Sequence, residues 1–167
     1  ILSNTNITVT DDVNKSEVDT INTYNDAGGV VTVSSITDSF SNISAVQGTP
    51  GISIGTALII ATDAVTLANA NSLNGFTNAQ VTLNVVQDTV SNISSINLID
   101  SNDVSMAAAA ITVTDAASLN DVTAINGFTE GLVTLNSVED TYSNIQDIKK
   151  IDDGQVNMGA AAVKVSD

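Results

Sequence analysis

The chain has no cysteine, no histidine and no tryptophan, a single proline, and lysine as its only basic residue type. Those absences remove disulfides, thiol nucleophiles, the usual zinc sites and Ser-His-Asp catalysis together. Four lysines stand against 19 acidic residues, for a formal charge of -15. A chain so acidic lacks the basic footprint that phosphate backbones require, which excludes nucleic acid as a partner. Long apolar runs are missing as well. The longest, Met106 to Val113, is too short to cross a bilayer, and no basic segment precedes an apolar one in the manner of a signal peptide. Carboxylate, hydroxyl and amide chemistry remain.

Aromatic residues make up only 3% of the 167 residues, whereas hydrophobic residues make up 43%. Any core must therefore be built from Val, Ile, Leu and Ala. These apolar residues are too many and too regularly placed for a disordered chain. Their regularity comes from a repeat: Thr10-Asp11, Thr62-Asp63, Thr114-Asp115 and Ser166-Asp167 recur at a spacing of 52, and residues 59–110 match residues 111–162 at 27 of 52 positions without a gap. Recurrence on that scale is the signature of a repeat architecture.

Each 52-residue unit divides again. Ile36-Thr37-Asp38, Val86-Gln87-Asp88 and Val138-Glu139-Asp140 supply a second set of anchors, so that the series runs Asp11, Asp38, Asp63, Asp88, Asp115, Asp140 and Asp167. Ahead of the first kind of Asp, Ile7/Val9, Ile111/Val113 and Val163/Val165 alternate with the period of a strand. After it, Leu67/Ala70/Leu73 and Leu119/Val122/Ile125 form helical stripes, ended by Asn74-Gly75 and Asn126-Gly127. In the second kind, Val81, Leu83 and Val86 break alternation once, as at a bulge. Helical stripes then follow at Phe40/Ile43/Val46, Val90/Ile93/Ile96 and Tyr142/Ile145/Ile148.

A unit of about 26 residues cannot bury both its strand and its stripe alone. The expectation is an α/β repeat solenoid of stacked strand-helix coils, paired into a 52-residue repeat. Residues 1–167 then form a single solenoid segment of a longer protein, with repeats 7–58, 59–110 and 111–162 and a partial 163–167. Neighbouring repeats of the same chain are the first partners of such a segment. Tyr24, Phe76 and Phe128, spaced by 52, should stack as an internal ladder, as should Phe40, Val90 and Tyr142 in their shared slot. Strands about 4.8 Å apart and helices about 8 to 10 Å apart do not match, so two alternating half-units should stagger the helices.

The Asp anchors fall at helix starts, where Asp is a favoured N-cap, and each is expected to cap the helix that follows it. Asn42, Asn92 and Asn144 recur four residues later and suggest a stacked amide row or a helix-surface contact. Asn6, Asn42 and Asn92 also match the glycosylation acceptor pattern, which is inexpensive in a chain rich in Asn and Ser. Hard oxygen ligands make calcium the cofactor to consider, at Asp100 and Asp103 and at the counterpart turn of Asp152 and Asp153. The matching turn of the first unit, Gln47-Gly48-Thr49-Pro50, carries no carboxylate, and a solvated acidic turn is the simpler reading. Thr-rich strands such as Ile7-Thr8-Val9-Thr10 invite an ice-binding reading, but Ile60-Ala61-Thr62 breaks the pattern. No insertion disturbs the repeat to create a cleft for a carboxylate pair, so the chain is not expected to be an enzyme. Lys149-Lys150 reads as a solvated turn.

Val86 to Ile93 and Val138 to Ile145, which share Val-x-Asp-Thr-x-Ser-Asn-Ile, resemble tandem repeats of very large secreted and cell-surface bacterial proteins of the cyanobacterial type, as does Ile111 to Ala116. The resemblance implies an extracellular or cell-surface structural repeat module, acting as an elongated scaffold or adhesin stalk. Alternatives are a calcium- or glycan-binding adhesin module, self-assembling or bound to surface glycans, and a trimeric phage or virus fibre segment. A cysteine-free acidic chain suits salty, oxidising surroundings.

Overall fold

The computed structural model describes residues 5–25, 28–99, 103–151 and 154–166. Strand β1 (Ile7–Val13) leads into helix α1 (Lys15–Asn22), β2 (Val31–Asp38), α2 (Phe40–Gln47) and the two-residue β3 (Ile52–Ser53). The series recurs as β4 (Leu58–Val65), α3 (Leu67–Phe76), β5 (Val81–Asp88), α4 (Val90–Asn97) and β6 (Val104–Ser105). It recurs again as β7 (Ala110–Ala117), α5 (Leu119–Asn126), β8 (Val133–Asp140), α6 (Tyr142–Ile151) and β9 (Val156–Asn157), and β10 (Ala162–Val165) follows.

All ten strands belong to one sheet, in the order β1-β2-β4-β5-β7-β8-β10, with β3, β6 and β9 beside β2, β5 and β8. Every pairing is parallel. Parallel neighbours need crossover connections, and the helices supply them. Alternate strand residues Val31, Val33 and Ile36, Val81, Leu83 and Val86, and Val133, Leu135 and Val138 are buried. Helix residues Ile43, Val46, Ala70, Leu73, Ile93, Ile96, Val122 and Ile125 are buried in the same single cluster. Each large aliphatic residue so enclosed contributes about 1.5–3 kcal/mol relative to exposure. The sharp return from α2 into β3 uses Gly51 at φ 81, where a side chain would be strained, and its carbonyl accepts from the Val31 N–H at 2.8 Å.

These observations correct the expected solenoid. The chain is a single α/β domain, one continuous sheet flanked by six helices among the described residues, and not a stack of separate 26-residue coils. The pairing explains why. β1 with β2, β4 with β5 and β7 with β8 pair along nearly their whole length, each across one irregularity. β2 with β4 and β5 with β7 pair over four residues only, and β3 and β6 occupy the rest of β2 and β5. The half-units are therefore not equivalent building blocks. Their sequence period specifies the registers of one sheet. The accessible surface of 8346 Å² is close to the roughly 7,800 Å² expected of a compact folded monomer of this mass. An elongated scaffold, adhesin stalk or fibre segment does not fit that shape. The resemblance to tandem repeats of giant secreted proteins, and the partnership with neighbouring repeats or self-assembly that it implied, fall with it.

Several local expectations are also corrected. The aromatic ladders are not internal: Tyr24 is 58% exposed and Tyr142 61%, while Phe40, Phe76 and Phe128 only flank the core. The break in alternation falls in the strands expected, with Val81, Leu83 and Val86 buried and Val133, Leu135 and Val138 likewise, and a register shift in the neighbouring strand accompanies it. Thr62 and Asp63 of β4 together face Asn84 of β5, and Thr10-Asp11 and Thr114-Asp115 do the same at the matching positions. Helix α3 runs through Asn74-Gly75 to Phe76, and Gly127 caps α5 in an ordinary right-handed conformation. Lys149 and Lys150 lie in the last turn of α6, where they meet the negative end of its dipole.

Candidate functional site

The recurring carboxylates form the most regular polar feature of the molecule. Each helix N-cap is a hydroxyl or amide residue, not the Asp anchor. Ser39 and Thr89 accept from the Asn42 and Asn92 N–H at 3.3 Å, Thr66 accepts from the Asn69 N–H at 3.4 Å, and Asn14 and Ser118 form capping boxes with Glu17 and Asp121. The Asp residues reach sideways instead. Asp38 accepts the first helical N–H of α1, from Lys15, at 2.9 Å, and Asp63 that of α2, from Phe40, at 2.7 Å. Asp88 accepts from Leu67 of α3 at 2.9 Å, Asp115 from Val90 of α4 at 2.8 Å, and Asp140 from Leu119 of α5 at 2.9 Å. Every one of these five carboxylates thus caps the helix that precedes it in the chain.

The second kind of Asp does more. Asp38 also accepts from the Ser39 N–H at 2.7 Å and the Asn42 amide at 2.8 Å, and Asp88 and Asp140 hold Thr89 and Asn92, and Thr141 and Asn144, in the same way. The expected amide row is therefore a set of Asn-to-Asp bonds within the first helical turn. Burial disfavours the charged forms of Asp38 and Asp88, but the backbone and amide donors outweigh it and hold both carboxyls below the usual range. Asp140 is lowered by the Leu119 and Thr141 N–H groups and the Asn144 amide. Carboxylates saturated with donors in this way are poor proton acceptors and poor metal ligands.

Of the calcium candidates, Asp103 is exposed, and its backbone carbonyl accepts from the Val81 N–H at 2.7 Å. Asp100, Asp152 and Asp153 lie outside the described residues. Among the described residues no group of three His, Cys, Asp or Glu side chains is placed to hold a metal ion. Of the glycosylation-pattern residues, Asn42 and Asn92 have their amides engaged by Asp38 and Asp88, and Asn6 accepts from the Val30 N–H at 3.0 Å.

Two groups escaped sequence reasoning. Thr77 and Thr129 are the buried polar residues among those described, each donating to a carbonyl across the crossover, Ala57 or Ala109, at 2.7 Å, and accepting from Ala79 or Gly131. Their spacing of 52 was the available signal. The second group lies at the β1 edge. Among the described residues β1 pairs on one side only, with β2. Beside it a groove of about 460 Å³ lies between β1 and α1, lined by Val9, Asp11, Val13, Glu17 and Ile21 among others. Asp11 stands where Asp63 and Asp115 stand in β4 and β7, yet it has no hydrogen-bond or ion-pair partner among the described residues. Asp12 accepts from the Ser35 hydroxyl at 2.7 Å, and Glu17 from the Asn14 N–H at 2.9 Å.

Comparison with protein-family models, with curated proteins and with solved structures yields no match, so the site has to be read from its own geometry. No helix among the described residues is long and apolar enough to cross a membrane.

Proposed function

We propose that the chain is a non-catalytic recognition domain that works outside the cell and pairs an extended polypeptide segment with the edge of β1 that the described residues leave uncovered. One observation carries this reading. Ile7 and Val9 of β1 are only partly buried, whereas their counterparts Ile59 and Ala61 in β4, and Ile111 and Val113 in β7, are buried in strands with a neighbour on both sides. An edge strand with unsatisfied backbone groups and half-covered aliphatic side chains is the surface that strand addition uses.

The donor-saturated aspartates and the absence of histidine and cysteine support a passive role over a catalytic one. The location outside the cell is supported by the cysteine-free, strongly acidic composition, which needs no reducing compartment. Hydrogen exchange tests the reading. Adding a synthetic peptide of residues 81–88 carrying Asp88→Lys should slow exchange of amides in Ile7–Val13 while leaving β5 unchanged. Protection that appears elsewhere, or nowhere, removes it.

A further inference from the structure

We infer that the sheet face turned away from the helices is an ice-binding surface, on which rows of hydroxyls hold the second-neighbour spacing of a tetrahedral water lattice. This face is separate from the edge of β1, and its occupant is solid water, not a polypeptide.

Strand side chains alternate between the two faces of a sheet. Val31, Val33, Ile59 and Ala61, with their counterparts in β5, β7 and β8, lie in the core cluster shared with the helices. The residues between them point the other way. Ile60 shows that this second face is bare: it is a large aliphatic residue in mid-strand, yet it has no place in the core cluster and stays partly exposed. Register sets hydroxyls side by side there. Thr8 pairs with Thr32 and Thr32 with Ser53, Thr82 pairs with Ser105, and Thr112 pairs with Thr134. Two residues further on, Thr62 lies against Asn84 and Thr114 against Asn136.

These hydroxyls are free to bind water. Thr8, Thr32, Thr82, Thr112 and Thr134 make no side-chain hydrogen bond among the described residues, which leaves each with one donor and two acceptor sites. Their spacing suits a lattice. Neighbouring strands lie about 4.7–4.9 Å apart. Waters joined by hydrogen bonds of about 2.75 Å at the tetrahedral angle have second neighbours about 4.5 Å apart. A row across three strands therefore strays from the lattice by roughly 0.6 Å in all. Branching at Cβ keeps the threonine rotamers stiff, so little freedom is lost when the row engages.

Charge and ring content select this occupant. The chain has 19 acidic and 4 basic residues, but positions 8–10, 32–34, 60–62, 82–84, 112–114 and 134–136 carry none of them. A charged group would hold its own hydration shell against the lattice, whereas a neutral row does not. Because Ala61 is buried, the interruption at Ile60-Ala61-Thr62 reduces on this face to Ile60 alone. A neutral polysaccharide would also meet hydroxyls here, but none of the five aromatic residues lies in a strand to stack on a sugar ring.

Slow freezing of a dilute solution of the full chain onto a cold surface tests the inference. The protein should be taken up into the growing ice, while a similarly acidic control protein stays in the liquid. Thr82→Lys, Thr112→Lys and Thr134→Lys together should lose this uptake. Ser91→Lys, Asn120→Lys and Ser143→Lys, which make the same change of charge on exposed helix positions, should keep it. If thermal melts show that the three strand lysines unfold the sheet, alanine at the same three positions removes the hydroxyls without adding charge and should also lose uptake. Exclusion of the parent from ice, or equal uptake by parent and strand variants, would overturn the inference. Loss of uptake in the helix variant would tie it to net charge and overturn it as well. Retention on insoluble cellulose together with exclusion from ice would assign the face to a neutral polysaccharide instead.

Discussion

The Asp88 carboxylate accepts the Leu67 N–H at 2.9 Å, although Leu67 opens the helix before the strand that Asp88 ends. The bond ties an α3 terminus to β5, and the same carboxylate holds Thr89 and Asn92 at the start of α4. Asp88→Ala should therefore loosen two helix starts together and destabilise the protein by about 1–2 kcal/mol, near the upper end for a helix cap. Urea unfolding at neutral pH measures it. A loss no larger than that of an exposed serine substitution would mean the bonds contribute nothing net.

Acid should erode this contribution. Asp38, Asp88 and Asp140 have carboxyl groups held below the ordinary range, so the unfolded chain takes up protons on them before the folded chain does. The stability they supply is complete above the unfolded value of about 3.9 and is lost as the pH falls through the lower folded values. A protein with Asp38→Asn, Asp88→Asn and Asp140→Asn should be less stable than the parent at pH 6, with the gap narrowing as the pH falls below about 4. A gap that stays constant across that range would refute the assignment.

Thr77 is a hydroxyl in an aliphatic interior, bonded to the Ala57 carbonyl and the Ala79 N–H. Thr77→Val keeps the shape and leaves both backbone groups without that partner. The expected loss is about 1–3 kcal/mol, against a smaller loss for Thr77→Ser, read from thermal melts. Equal losses would show that the methyl group, not the hydroxyl, matters at this position.

Ile93 and Leu98 make a useful contrast. Ile93 is fully buried and Leu98 is 84% exposed, five residues further along the chain. Ile93→Ala should cost about 2–5 kcal/mol, and Leu98→Ala should stay within about 0.5 kcal/mol of the parent. A large effect at Leu98 in solution would indicate a contact made by that side chain.

Much of the local structure was legible because aliphatic spacing is a direct record of burial. Ile43/Val46, Ile93/Ile96 and Val122/Ile125 lie on the buried faces their periods predict, and Ile36, Val86 and Val138 point into the core. The level above was not legible. A period of 52 says that pairing registers recur, but it does not say whether the strands build separate coils or one sheet, because both bury the same alternate residues. The two-residue strands β3, β6 and β9, which decide how the sheet is filled, are too short to show alternation. The aspartates were assigned to the wrong helix for a similar reason. Sequence proximity favours the following helix, whereas the bulge at Thr62-Asp63 and the lateral strand spacing bring the preceding one within 2.7–2.9 Å. The open acceptor at Asp11 could be recognised only once its counterparts had been found occupied.

The order of strands has a consequence for how the chain finds its structure. Each long strand lies beside the long strands nearest to it in sequence, so closing any junction involves only a short span, and no segment must thread past another. Folding can begin at several places and grow outward. A chain nicked beside Leu98, between α4 and β6, should leave two fragments that recombine across the β5–β7 junction, with the Val90 N–H seeking the carboxylate of Asp115 on the other piece.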